Sequence, residues 1–168
     1  MTVLVWRDGI FAADSQVTAG GYAAGFDQKV YTKLFGKMRT WAGGAGDSVK
    51  IQQFLAVYQG AKRLEEVAQG WKDYEGKKDE GKTSAIIIFD EVRPTFGRKY
   101  WAFYDASWPY SEQFFRDYMA WGSGDELALG ALYMGASACD AVHAACRFDT
   151  GCGLPLQFIG TDGKFHVV

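Results

Sequence analysis

A short hairpin at the start of the chain constrains this sequence more than any other feature. Thr2-Val3-Leu4-Val5-Trp6 is rich in strand formers, Asp8-Gly9 is a hairpin-turn dipeptide, and Ile10-Phe11-Ala12-Ala13-Asp14 runs back. Two antiparallel arms about one tight turn bring position 14 close to position 2. Side chains alternate between faces along a strand, so the register of the arms decides which residues meet.

The rest of the chain reads as strands, helices, strands, helices and strands. Lys29 to Phe35 and Lys37 to Trp41 form a second hairpin turning at Gly36, after Gly20-Gly21 interrupts the pattern. The glycine-rich Ala42 to Gly46 is expected to turn into a helix capped by Asp47 or Ser48. Ile51, Phe54, Leu55 and Tyr58 follow the spacing of one buried helical face. Gly70 to Lys82 is polar and reads as a solvated loop or frayed helix end. Strands are expected at Thr83 to Phe89, Arg98 to Tyr104 and Tyr118 to Trp121, and helices near Asp125 to Met134 and Ser137 to Phe148. The tail, Leu154 to Ile159 and Lys164 to Val168, is a hairpin turning at Asp162-Gly163. This order favours two antiparallel sheets between outer helical layers over a doubly wound parallel sheet. The expected fold is therefore α+β, a four-layer αββα sandwich, with residues 1–168 as one domain.

Several function classes are excluded. The net charge of -2, with both signs interspersed, provides no basic face for nucleic acid. No apolar run is long enough to cross a bilayer, and the start does not read as a signal peptide. Three cysteines suit a reducing compartment better than a disulfide framework, so a cytoplasmic location is expected. There is no Gly-x-Ser-x-Gly elbow and no phosphate-cradling glycine loop. The histidines, His143 and His166, have no evident Ser or Cys partner, which argues against a serine-type triad. Cys139, His143 and Cys146 share one helical face and could be joined by Cys152 in a zinc site, but the spacing fits a core stripe better.

What remains is Thr2. Methionine before a small residue is normally trimmed, which leaves Thr2 with a free α-amine beside its own hydroxyl. Such an amine has an ordinary pKa of about 7.7–8.0 and can accept the hydroxyl proton near neutrality. If Met1 is kept, that nitrogen is an amide and cannot act as a base.

Six short segments in order then bring a family into view: Ala12-Ala13-Asp14-Ser15, Thr18-Ala19-Gly20, Lys29-Val30, Ala42-Gly43-Gly44-Ala45, Gly122-Ser123-Gly124, and Asp149 with Cys152-Gly153. In this the chain resembles the proteasome β-subunit and HslV family of N-terminal nucleophile hydrolases. The resemblance implies a threonine peptidase with Thr2 as nucleophile. Asp14 would hold Lys29 charged beside the Thr2 oxygen, Gly43 would offer its N–H to an oxyanion, and Ser123 and Asp149 would complete the network around the amine. Trp41, with Val17 and Ala45, would line the substrate pocket, the indole favouring small side chains. Plainer readings stand beside these: a surface ion pair for Asp14 and Lys29, a tight turn at Gly43, a helix cap for Ser123, a turn residue for Asp149 and a core indole for Trp41. Two departures are visible. The first hairpin is short, and Thr150 or Cys152 stands where the family has serine. The resemblance further implies a homo-oligomeric ring, a peptide or unfolded-protein substrate, no cofactor and no metal, and leaves room for an ATP-driven unfoldase. A silent ring subunit and an amidase acting on small amides are the alternatives.

Overall fold

The computed structural model describes residues 2–19, 22–74, 84–93, 97–104, 111–113 and 117–168. Its strands are β1 (Val3–Arg7), β2 (Ile10–Asp14), β3 (Gln16–Ala19), β4 (Tyr22–Phe26), β5 (Val30–Phe35) and β6 (Met38–Ala45), then β7 (Ser84–Arg93), β8 (Gly97–Tyr104), β9 (Ser111–Gln113), β10 (Tyr118–Gly122), β11 (Leu156–Ile159) and β12 (Phe165–Val167). The helices are α1 (Ser48–Gly60), α2 (Leu64–Tyr74), α3 (Asp125–Tyr133) and α4 (Ala138–Phe148). Two compact units result: Met1–Tyr31 with Arg116–Val168, and Thr32–Phe115.

The first unit is built on a five-stranded sheet in the order β10-β1-β2-β11-β12. The opening hairpin is its centre, with Leu4 opposite Ala13 and Arg7 opposite Ile10. Asp8 and Gly9 turn it, both at positive φ. On the other side of β1, Val3 lies opposite Gly122 and Arg7 opposite Tyr118. Val3, Leu4, Val5 and Trp6 are all fully buried, as an uninterrupted apolar run should be when both faces of a strand are covered. Val3, Val5, Ala12 and Leu156 pack with Ala128 and Leu132 of α3 and with Ala141, Val142 and Ala145 of α4. The buried residues of α4 are mostly alanines, which let the helix lie close to the sheet. Trp6, Phe11 and Trp121 make a second buried cluster, with ring centroids 6.5 and 6.4 Å apart.

Helix ends are closed by side chains. The Ser137 hydroxyl accepts from the Asp140 N–H at 3.1 Å, capping α4. Arg7 donates to the carbonyls of Leu132, near the end of α3, and Ala136, in the turn that follows it. A separate ribbon pairs β3 with β4, with a bulge between Val17 and Thr18.

The second unit carries the sheet ordered β5-β6-β7-β8-β9. Here β6 pairs with β7 from Thr40 opposite Phe89 to Ala45 opposite Ser84. Asp47 caps α1 by accepting from the Lys50 N–H at 3.0 Å. Phe54, Leu55 and Tyr58 are its buried residues, while Ile51 is only half-buried. Lys33 closes the other end through the carbonyls of Gln59 and Ala61.

The expected four-layer αββα sandwich is not what forms. The described strands fall into three antiparallel sheets of five, two and five strands, accompanied by four helices, and the two large sheets belong to different compact units. The architecture is mixed α/β. The β3–β4 ribbon takes strand-forming residues out of the larger sheets. The Ala42 to Gly46 segment also differs from expectation. It is not a turn opening a helix: Ala42 to Ala45 continue β6, and Gly46 alone takes the left-handed conformation, at φ 121°. Helix α2 takes in the start of the polar stretch, Gly70 to Tyr74, expected as a solvated loop or frayed helix end, and the remainder, 75–82, lies outside the described residues. Thr83 and Gly20-Gly21 lie outside them as well.

Gly122 ends β10 at φ 105°, and a Cβ there would sit 2.2 Å from the Thr2 carbonyl oxygen. Both backbone conformation and space demand glycine. Gly122→Ala is expected to cost about 1–3 kcal/mol, read as a lowered midpoint in thermal unfolding.

Candidate active site

The hairpin register carries Asp14 back to the level of Thr2. Both are enclosed: Thr2 is 4% exposed and Asp14 0%. The Thr2 hydroxyl donates to Asp14 Oδ1 at 2.8 Å, and the Val3 N–H donates to the same oxygen at 2.9 Å. The other oxygen, Oδ2, accepts from the N–H groups of Gln16 at 3.1 Å and Gly153 at 3.2 Å. Lys29 reaches in from the segment between β4 and β5. Its Nζ donates to Asp14 Oδ1 at 2.9 Å, to the Gln16 carbonyl at 2.6 Å and to Thr2 Oγ1. An ammonium has three N–H bonds, and here each has an acceptor. The Thr2 oxygen therefore lies between a carboxylate that takes its proton's hydrogen bond and a cation that faces its lone pair. The ion pair is not a surface one, since Lys29 is only 9% exposed.

Ser123 and Asp149 form an adjoining pair. The Ser123 hydroxyl donates to Asp149 Oδ2 at 2.8 Å and lies 3.4 Å from the Thr2 carbonyl oxygen. It does not cap α3, whose N-cap is Gly124 with no side-chain bond. Asp149 is the C-cap of α4, so its role in the turn is real. Burial, the largest influence on its carboxyl, pushes the pKa up. The Gly151 N–H, the Ser123 hydroxyl and the Cys152 thiol outweigh it and hold the group below the ordinary aspartate value. Cys152 donates its S–H to Asp149 Oδ2 at 3.2 Å. Burial first, then the Asp14 and Asp149 carboxylates, drive that thiol well above the usual range, so it stays protonated.

The other residues singled out in the sequence fall elsewhere in the framework. Val17 lies on the β3–β4 ribbon, half-buried, opposite Gly25. Trp41, Gly43 and Ala45 are buried on β6 in the second unit, with Gly43 opposite Ile86. Gly43 is a strand residue, so its N–H is not one of the unpaired donors of a helix start. Cys139 and Cys146 pack against the core of the first unit, and His143 is exposed. The Cys146 thiol is pushed up to about 12, chiefly by burial and then by Asp14. Among the described residues no group of His, Cys, Asp and Glu is placed to hold an ion. No helix of the described residues is long and apolar enough to cross a membrane. Several partners of Asp14 and Lys29 escaped sequence reasoning: the N–H groups of Val3, Gln16 and Gly153, the Gln16 carbonyl and the side chain of Gln157. Main-chain groups leave no side-chain signature, although Gly153 falls in a turn already singled out.

With this geometry in view, the fold can be placed among known ones. No protein-family model matches the chain, and no curated protein matches it. Solved structures do. The helical assembly of the Anbu complex from Pseudomonas aeruginosa aligns with a TM-score of 0.70 at 15% identity, over 99% of this chain and 86% of that one. Anbu, the ancestral beta-subunit, from Yersinia bercovieri aligns with a TM-score of 0.70 at 13% identity, over 99% and 87%. At such identity the likeness speaks for the fold alone. It also corrects the family read from the sequence. These similar structures are of Anbu, the ancestral beta-subunit, and not of HslV.

Two outcomes are expected. Asp14→Ala leaves a buried ammonium and three N–H groups without their acceptor, and should cost about 3–5 kcal/mol in thermal or urea unfolding. Asp149 has a lowered folded pKa, so its contribution to stability is present above the ordinary carboxylate value and lost as the pH falls through the lowered one. Asp149→Asn should therefore flatten the decline in stability between roughly pH 5 and pH 2.

Proposed function

We propose that this chain, once Met1 has been removed, is a threonine-type peptidase that cleaves amide bonds through an acyl ester on Thr2. The observation that carries this reading is the enclosed Thr2 oxygen, shared between the Asp14 carboxylate and the Lys29 ammonium. Few structural needs call for a buried hydroxyl against a buried ion pair, because desolvating two charges is costly. The same arrangement suits a nucleophile that must lose its proton.

In the first step Oγ1 bonds to the substrate carbonyl carbon while its proton passes to the freed α-amine. The Lys29 ammonium offsets the charge on the attacking oxygen. The tetrahedral centre then expels the amine, which takes the proton from the α-ammonium, and the acyl group stays on Thr2 as an ester. Water adds to that ester, its proton returning through the α-amine, and the carboxylic acid leaves with Oγ1 restored. Ser123, Asp149 and Cys152 stand on the side of the Thr2 main chain, where they would orient the α-amine. No cofactor enters these steps. The substrate class is a peptide or unfolded protein. We further propose that copies of the chain associate, as in the helical assembly of the Anbu complex from Pseudomonas aeruginosa.

Intact mass with and without a peptide epoxyketone tests the chemistry. Such a probe bonds to both the Thr2 hydroxyl and its α-amine. The expected result is a chain lacking Met1 that gains one probe mass, with no gain in Thr2→Ala. A processed chain that takes no adduct overturns the peptidase reading. Light scattering tests association, and a monomer at micromolar concentration would refute it.

A further inference from the structure

Gln157 is 1% exposed, a rare state for glutamine, and its hydrogen bonds go to residues other than Thr2. It sits on β11, opposite Ala13 of β2, one strand from the nucleophile hairpin. Its amide is used at both ends. The carbonyl oxygen accepts from the Lys29 N–H at 2.7 Å and from the Val30 N–H at 3.4 Å. The nitrogen donates to the Ser15 hydroxyl at 2.8 Å, the Asp27 carbonyl at 2.8 Å and the Asp14 carbonyl at 3.3 Å. The oxygen faces only donors and the nitrogen only acceptors or a hydroxyl, so the amide has one consistent orientation.

We propose that Gln157 is the positioning residue of the site, holding the main chain of Lys29 so that its ammonium meets Thr2 and Asp14. Lys29 precedes β5 and has no strand ladder of its own to fix its backbone. Its side chain is a flexible four-carbon stem, so the head is placed only as well as the root. Gln157 ties that root to β11, and through Ser15 and Asp14 to the end of β2. The same strand segment that carries the carboxylate thus sets where the cation starts. An apolar side chain at 157 would leave the Lys29 N–H buried without its acceptor, and the loop would shift to find another.

The catalytic consequence rests on the Thr2 reading, but the positional claim does not, and the test separates them. Lys29 is acetylated with dilute acetic anhydride, and its rate is compared by mass spectrometry with that of exposed Lys164. The variant is Gln157→Met, close to glutamine in shape and unable to make these bonds. Lys29 should react on the order of tenfold faster in the folded variant, and the rate of epoxyketone adduct at Thr2 should fall on the order of tenfold. A purely structural role would lower the unfolding temperature and leave the Lys29 rate within about twofold of the parent, and that result overturns the proposal. If Gln157→Met does not fold, Gln157→Asn, which keeps the amide but falls one methylene short, is held to the same criteria. A parent chain that takes no adduct removes the peptidase reading, and the Lys29 rate alone then decides Gln157.

Discussion

One buried carboxylate organises the first unit. Asp14 is fully enclosed, yet five donors reach its two oxygens: the Thr2 hydroxyl, the Lys29 ammonium, and the N–H groups of Val3, Gln16 and Gly153. A charge in such a place is tolerable only when its hydrogen-bonding capacity is met in full. That requirement fixes several backbone segments at once. The start of β1, the start of β3, the loop before β5 and the turn before β11 all converge because one anion needs them.

The surrounding fold makes such convergence possible. β1 is interior to its sheet, flanked by β2 and β10, with α3 and α4 against one face. A threonine at the head of an interior strand is shielded on several sides while its main chain lies at the strand's end. Gly122 and Gly124 contribute by lacking side chains where they meet Thr2, Val3, Ala145 and Cys152. The network of Ser123, Asp149 and Cys152 then sits beside the main chain of residue 2 rather than beside its hydroxyl. Two separate hydrogen-bond systems thus serve the two ends of one residue.

Much of the local structure was legible in the sequence, for reasons that can be named. The opening hairpin was readable because Asp8-Gly9 enforces a tight turn and its arms are apolar. Asp47 announced α1 because a cap is local chemistry. The juxtaposition of Thr2 and Asp14 followed from hairpin register alone. The layer arrangement was not legible, since which strands share a sheet depends on pairings between distant segments. The β3–β4 ribbon was hidden by the Gly20-Gly21 interruption, which reads as a break rather than as a connection. The Ala42 to Ala45 stretch misled in the opposite sense. Its small residues suggest a turn, but pairing with the apolar β7 keeps them extended. The family was the hardest inference, because short motifs in order are shared between related folds.

The bond from Gly153 to Asp14 spans 139 positions of sequence. Asp14 also needs Val3 and Gln16, its neighbours in the chain or across the hairpin, and Lys29, a short loop away. The site therefore closes in stages: the hairpin can bring Thr2 to Asp14 early, but the carboxylate stays incompletely satisfied until the turn before β11 docks. Contacts of such long range form late, because the intervening chain must first be ordered. The setting of the Thr2 oxygen is thus completed by a segment far away along the chain.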